Sequence, residues 1–262
     1  MNTLQNRRGF AACVLMLVAG LAWAEDPLGF PLRAKYPQVP VISTSDLLAQ
    51  YPTAVIVDVR SQMEFDALRI ARAQHVVVTN AGFLTSLEKV RAKDGAATLV
   101  FYCNGHDCAK SYDAVDLAQR SGFGNVAVYD AGVFDWVRAH PDKAVLLGQS
   151  PAPLTKLLSP AQLAEKSISF ADFKNRAQAV DAMVIDIREP QQRQFVPALD
   201  KLRNVPSDRM VALLRQGEFK DKQLLIMDAV CKQVEWLQYH LELNGYSNYR
   251  FLKGGVAGLP KV

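Results

Sequence analysis

The 262-residue chain is expected to fold as an α/β protein made of two similar units, each a mainly parallel β-sheet flanked by helices. Two observations predict this. An apolar run ending in Asp-x-Arg occurs twice, as Ala54-Val-Ile-Val-Asp58-Val-Arg60 and Ala182-Met-Val-Ile-Asp186-Ile-Arg188. Each copy is followed by the same succession of apolar runs, helical stretches and glycines. Strands alternating with helices imply parallel sheets joined by right-handed crossovers.

Each Asp-x-Arg run is short, rich in β-branched residues and continuously apolar rather than alternating, as suits a strand buried on both faces. A second run, Thr98-Leu-Val-Phe-Tyr102, returns as Gln223-Leu-Leu-Ile-Met227. Helical stretches over 111–121 and 232–244 follow, stopping at Gly122 and Gly245, because glycine readily takes the left-handed conformation that ends a helix. A third run, Asn125-Val-Ala-Val-Tyr129 or Asn248-Tyr-Arg-Phe-Leu252, then leads to Ala131-Gly132-Val133 or Gly254-Gly255-Val256. Gln149-Ser-Pro151-Ala-Pro153 and Ser159-Pro160 supply a proline-rich break. Domains are therefore expected over 36–148 and 166–262, with a linker over 149–165.

Residues 1–24 have the layout of a cleaved signal peptide: Arg7-Arg8, an apolar run from Phe10 to Leu21, then Ala22-Trp23-Ala24. The run falls short of the roughly 20 apolar residues that span a bilayer, so no membrane span is expected after cleavage. Asn6-Arg7-Arg8-Gly9-Phe10 partly resembles a twin-arginine signal, which leaves the export route open. The expected location is periplasmic or secreted. Hydrophobic residues at 50% and charged residues at 21% exclude disordered and low-complexity chains. The formal charge of +4 comes without a basic run, which gives no electrostatic footprint for nucleic acid. Four cysteines are too few for a disulfide scaffold and lack zinc-site spacing, so no metal is expected. Cleavage would remove Cys13 and leave Cys103, Cys108 and Cys231 where thiols can be oxidised.

The ordered set of Val55 to Arg60, Phe101-Tyr-Cys103-Asn-Gly105, Gly122-Phe-Gly-Asn-Val126 and Gly132-Val-Phe-Asp-Trp136 resembles the rhodanese family. The resemblance spans most of 38–145 and, more weakly, 166–260, and implies two tandem rhodanese-like domains. Leu68-Arg-Ile-Ala-Arg-Ala73 departs from the Gly-His-Ile-Pro-Gly-Ala that many members carry, and Phe195-Val-Pro-Ala-Leu departs further. The first loop is two residues longer than its counterpart in the second copy. It resembles a variant with a Cys-Asn-Gly-x-x-Cys-x-x-Ser loop, matched by Cys103, Asn104, Gly105, Cys108 and Ser111.

That loop leaves a strand and enters a helix, the place where open α/β sheets bind ligands. Amide groups at a helix N-terminus favour an anion, and a thiolate over a thiol. Cys103 is the expected nucleophile, with Asn104, Gly105, His106, Asp107, Cys108, Ala109, Lys110 and Ser111 forming the substrate-binding loop. Gly105 would allow close backbone approach. His106 and Lys110 would add positive charge towards thiosulfate, the family's usual donor, or remain as solvated loop side chains. Cys108 is either a resolving thiol that pairs with Cys103 or a small residue opening the helix. Cys103 itself could instead merely pack. Asp58 and Arg60 are expected to pin strand ends near the site through a salt bridge, and Phe134 and Trp136 to belong to the core.

In the second copy Asp228 stands where Cys103 would, and a carboxylate cannot carry sulfur. Cys231 is expected within the helix, buried, with pairing to Cys108 as the lesser alternative. No arginine occurs between Cys103 and Arg120, which disfavours phosphatase chemistry, where a bidentate cation is needed.

The leading expectation is an exported sulfurtransferase that takes sulfane sulfur from thiosulfate or a persulfide onto Cys103 and passes it to a thiol, a protein thiol or cyanide. No cofactor is implied. The alternatives are a thiol redox or persulfide-carrier protein using Cys103 and Cys108, and a non-catalytic binding module on the same fold.

Overall fold

Continuous apolar runs become strands covered on both faces. The computed structural model describes residues 29–259, so the expected signal peptide and Cys13 lie outside the described residues. The amino-terminal half runs α1 (Thr44–Gln50), β1 (Val55–Asp58), α2 (Gln62–Ala67), β2 (Leu68–Ile70), β3 (Gln74–His75), α3 (Phe83–Asp94), β4 (Leu99–Tyr102), α4 (Ala109–Arg120), β5 (Val126–Tyr129), α5 (Gly132–Ala139) and β6 (Ala144–Leu146). Its main sheet is parallel throughout, in the order β3-β1-β4-β5, and β2 pairs antiparallel with β6. Every residue of β1, β4 and β5 is buried, as a doubly covered parallel sheet requires. The register places Asp58 beside Tyr102 and Tyr102 beside Tyr129. The loops after these strands therefore leave the sheet at one edge.

The carboxy-terminal half runs α6 (Pro160–Lys166), β7 (Ser167–Ile168), α7 (Phe170–Ala177), β8 (Ala182–Asp186), β9 (Leu202–Asn204), α8 (Ser207–Arg215), β10 (Gln223–Met227), α9 (Lys232–Leu243) and β11 (Tyr249–Leu252). Its parallel sheet has the order β9-β8-β10-β11-β7. This is the order of the first sheet, whose β5 likewise gains a fifth neighbour through a parallel bridge from Val41 to Val128. Among the described residues no helix is long and apolar enough to cross a membrane.

Strands expected from 98, 125 and 248 begin one residue later in each case. At Asn125 the cause is a left-handed backbone, φ 54°. The first expected helix starts earlier, at Ala109 rather than 111, directly after an extended Cys108 at φ −90° and ψ 104°. The stretch expected as a linker carries a helix at its end. Pro160 occupies the first turn of α6, where it has no hydrogen bond to lose, and Ser159 and Gln162 close a capping box. Leu157, Leu158 and Leu163 pack on the core, and the Leu158 amide donates to the Tyr239 hydroxyl at 3.0 Å.

Side-chain alternation divides the interior. One face of each sheet enters a single shared core, with Ile56, Val100, Tyr102 and Trp136 from one half and Ile185, Leu224, Ile226, Leu237 and Phe251 from the other. The opposite faces have separate cores: Val57, Phe101, Cys103 and Val115 in the first half, and Phe173, Val184, Leu225 and Met227 in the second. Phe134 and Trp236 stack across the halves at 5.2 Å, and Arg215 pairs with Asp66 at 2.7 Å.

His240 on α9 is almost wholly buried against α2, where Nε2 donates to the Met63 carbonyl at 2.9 Å and Nδ1 has no partner among the described residues. Burial holds its pKa below the ordinary imidazole value, against the smaller opposing effect of the Met63 hydrogen bond. The unfolded chain therefore binds more protons than the folded one at pH values below about 6.5, and the folded state loses stability as pH falls through that range. Thermal unfolding between about pH 7 and pH 5 is expected to show a melting temperature that drops in the wild type and drops less in His240→Gln. Equal slopes would remove His240 as the cause.

Candidate active site

Cys103 is the first residue after β4 and Cys108 is the N-cap of α4, and the two are joined in a disulfide with a Cα–Cα distance of 6.2 Å. The loop between them is held by its own backbone. The Cys103 carbonyl accepts from the Val133 amide at 3.0 Å, and the Gly105 carbonyl from the Cys108 amide at 3.0 Å. With its sulfur engaged, Cys108 offers α4 no side-chain cap. The first amides of a helix lack intrahelical partners and form its electropositive end, so the disulfide sits where negative charge on sulfur is favoured. Cys103 is 1% exposed, whereas Cys108 is half-buried and lines a cleft.

Gly132 lets the loop take this path. Its φ is +72°, and a Cβ built there would lie 2.4 Å from the Gly105 nitrogen and 2.5 Å from the Asn104 carbonyl carbon.

Asn104 ties the loop to a buried charge network. The Arg60 guanidinium, fully buried, donates to Asp58 through Nε at 2.9 Å and Nη2 at 2.6 Å, to the Leu68 carbonyl at 2.6 Å, and through Nη1 to Asn104 Oδ1 at 3.0 Å. Tyr102 donates to Asp58 at 2.5 Å, and its burial beside that carboxylate raises the phenol pKa far above its usual value. Asn104 in turn donates to Glu64 Oε1 at 2.8 Å, and Lys110 lies 3.8 Å from the other Glu64 oxygen. Burial alone would raise the Glu64 pKa. The Lys110 and Arg60 charges, with hydrogen bonds from Asn104 and Ser61, outweigh it and hold the carboxyl below its ordinary value. Asp58 and Arg60 thus bear on the loop through Asn104.

The other loop residues separate into two groups. Asn104, Asp107, Cys108, Ala109 and Lys110 line the cleft. His106, expected either to add positive charge towards an anion or to remain a solvated side chain, is not among the residues that line the cleft. Nε2 meets Asp135 at 2.9 Å, Nδ1 meets the Gly29 carbonyl at 3.1 Å, and the ring stacks on Phe30 at 4.1 Å. A segment entering from the amino-terminal side imposes that orientation, with Arg33 fixed on Asp130 at 2.8 Å and Tyr36 on Asp113 at 2.6 Å. Ser111 is buried and its hydroxyl donates to the Cys108 carbonyl at 3.4 Å. Trp136 is fully buried in the core, and Phe134 is partly buried against it.

The second half repeats the geometry with different chemistry. Asp228 follows β10 as Cys103 follows β4, and its carbonyl accepts from the Val256 amide at 2.8 Å. Gly255, at φ +62°, would place a Cβ 2.5 Å from the Ala229 oxygen. The Asp228 carboxylate accepts from the amides of Cys231, Gln233 and Val234 at 2.6, 2.7 and 3.1 Å. Burial raises its pKa, against the pull of those amides. The first turn of α9 is therefore occupied by the protein's own carboxylate. Cys231 lies at the N-cap of α9 with φ 64°, half-buried rather than within the helix, and its thiol donates to the Leu252 carbonyl at 3.3 Å. It is free, since Cys108 pairs with Cys103. The rest of the device also recurs: Arg188 binds Asp186 at 2.9 and 2.8 Å, and Arg193 adds a second cation there.

The two loops face one cleft of about 450 Å³, walled by Glu64 and Lys110 on one side and by Asp228, Val230, Lys232 and Trp236 on the other. Sequence inspection missed Glu64, Asp113, Lys232 and Trp236 as cleft residues. Only Glu64 carried a local signal, the Ser61-x-x-Glu64 capping box, and that signal marks a helix start rather than a site.

Residues 43–139 match the family model described as Rhodanese-like domain, so this segment is a rhodanese-like domain. Among solved structures, a thiosulfate sulfurtransferase from Pseudomonas aeruginosa is 17% identical with a TM-score of 0.38. The match covers 89% of this chain but only 46% of that one, so the chain spans less than half its length. A 3-mercaptopyruvate sulfurtransferase from Leishmania major is 12% identical over 85% of this chain and 74% of that one, with a TM-score of 0.34. A rhodanese-related protein from Thermoplasma volcanium is 19% identical over 38% and 92%, with a TM-score of 0.31. No curated protein matches the sequence significantly.

Gly132→Ala is expected to displace the 103–108 loop and to destabilise the fold by about 1–3 kcal/mol. Gly124→Ala, where an added Cβ meets nothing within 4 Å, should change stability by no more than about 0.5 kcal/mol. Urea unfolding measures both, and a glutathione redox titration measures the Cys103–Cys108 disulfide. A Gly132→Ala protein with wild-type stability and disulfide equilibrium would show that the close approach constrains nothing.

Proposed function

We propose that the rhodanese-like domain of residues 43–139 acts as a sulfurtransferase in which Cys103 carries sulfane sulfur as a persulfide and Cys108 closes the site as its disulfide partner. The observation that carries this is the pairing of the two sulfurs at an uncapped helix N-terminus. A thiolate is favoured there, and so is a persulfide anion in its place.

The chemistry has two half-reactions, as covalent catalysis by a nucleophile requires. With the disulfide reduced, the Cys103 thiolate attacks the outer sulfur of thiosulfate or the sulfane sulfur of a persulfide. The S–S bond of the donor breaks, sulfite or a thiolate leaves with the electron pair, and Cys103 holds the persulfide. An acceptor thiolate or cyanide then takes the terminal sulfur and restores the Cys103 thiolate. In the absence of an acceptor, Cys108 attacks the inner sulfur of the persulfide. The disulfide re-forms and hydrosulfide leaves, so that two thiol sulfurs are oxidised as one sulfane sulfur is reduced.

The carboxy-terminal half serves in this scheme as a wall of the cleft without a nucleophile, because Asp228 fills its amide cradle. A disulfide that forms and is used in turnover suits an oxidising compartment, which agrees with export to the periplasm or beyond.

The test is intact mass after reduced protein is incubated with thiosulfate or an organic persulfide. Cys108→Ala is expected to accumulate one added sulfur, wild type to return to the disulfide with release of sulfide, and Cys103→Ser to gain nothing. Absence of the adduct on Cys108→Ala with both donors would overturn the proposal.

A further inference from the structure

We propose that the cleft between the halves is a docking groove for a cysteine-bearing segment of a partner protein, its thiol flanked by lysine or arginine and an apolar side chain, and that this thiol reacts at Cys108. The inference rests on the sulfurtransferase reading and names the class of thiol that serves it.

Charge is the first ground. Glu64, Asp107, Asp113 and Asp228 line the cleft against Lys110 and Lys232, and Lys110 is already drawn to Glu64 at 3.8 Å. Glu64 is held in its charged form by its neighbours. Glu235 is close enough to feel both Glu64 and Asp107, and burial raises its pKa. His106 is committed to Asp135 and does not line the cleft. The cleft lining carries more carboxylates than cations, so a basic segment is attracted.

The second ground is the rim. Val230, on the cleft wall, is 54% exposed, and Phe195 and Val196 are 53% and 43% exposed. Arg188 fixes that segment beside the cleft by donating to the Gln192 and Phe195 carbonyls at 3.2 and 3.1 Å, and Gln192 itself lines the cleft. These exposed side chains give an incoming apolar side chain surface to bury beside the groove.

The third ground is the order of the two sulfurs. Cys108 lines the cleft and Cys103 is buried beneath it. An incoming thiolate therefore forms its bond to the Cys108 sulfur, the Cys103–Cys108 bond breaks, and Cys103 leaves with the electron pair as a thiolate. A second thiol of the same partner then attacks the partner's own sulfur in the mixed disulfide. Cys108 is released as a thiol, and the partner is oxidised to a disulfide.

Two cysteine peptides of the same length test this on the full-length oxidised protein, one with lysines and the other with glutamates flanking the cysteine, and a leucine beside it in both. Opening of the Cys103–Cys108 disulfide is followed by intact mass, with each rate divided by that of the same peptide on 2-hydroxyethyl disulfide to remove intrinsic thiol reactivity. The lysine peptide is expected to be about tenfold faster at low salt, with the ratio falling towards one near 1 M salt, where the Debye length is about 3 Å. Asp113→Asn should reduce the ratio, and Val230→Ser should slow both peptides and leave the ratio unchanged. Equal normalised rates, or a faster glutamate peptide, would overturn the proposal. Disulfide opening is read without sulfur transfer, so a selective groove on a protein that never gains a persulfide would refute the sulfurtransferase reading alone.

Discussion

A fully buried guanidinium holds the site together. Arg60 has no access to water, and an uncompensated charge in that position would cost more than most single interactions can return. It is tolerated because Asp58, the Leu68 carbonyl and Asn104 accept its hydrogen bonds. Those acceptors belong to the end of β1, the start of β2 and the loop that joins Cys103 to Cys108. Satisfying one buried cation therefore fixes three separate stretches of chain. The same pair in the second half, Asp186 and Arg188, directs its remaining donors to the Gln192 and Phe195 carbonyls, so there the device shapes a rim instead of gripping a loop.

The contrast between the two helix N-termini follows from what stands at the strand end. In the first half a sulfur follows β4, and α4 has no side-chain cap. In the second a carboxylate follows β10 and satisfies three amides of the next turn. An internal anion at that place keeps its shape but removes the room and the potential for an external one. The glycines that let each loop pack, Gly132 and Gly255, are equally constrained, so both halves keep the cradle although a cysteine stands in one and an aspartate in the other.

The strands were legible in the sequence because both of their faces are covered: such strands read as uninterrupted apolar runs, and Val55–Asp58 and Gln223–Met227 do so. The loop was legible because its meaning lies in local spacing, Cys103 after a strand and Cys108 before a helix. What local pattern does not encode is the partner of a face. Val100 and Phe101 look alike in sequence, yet one packs in the core shared by the halves and the other in the core behind the first sheet. Trp236 and Glu64, far apart in the chain, line one cleft only because the halves pack together. The direction of His106 was not legible for the same reason, since Phe30 and Asp135 set it and neither is its neighbour in sequence.

The different burial of the two sulfurs divides their roles in the proposed chemistry. The sulfur open to the cleft meets incoming groups, and the buried one is released. A thiol–disulfide exchange runs faster when the departing sulfur is a stable thiolate, and the uncapped first turn of α4 supplies that stabilisation at the disulfide. Once Cys108 has been drawn away, the same amides favour the Cys103 thiolate as a nucleophile. In the closed form Cys103 has neither a free electron pair on a thiolate nor an opening to the cleft. In the proposed chemistry, sulfur loading therefore depends on a prior thiol, and the disulfide serves there as a lock on Cys103 as well as the end point of persulfide resolution.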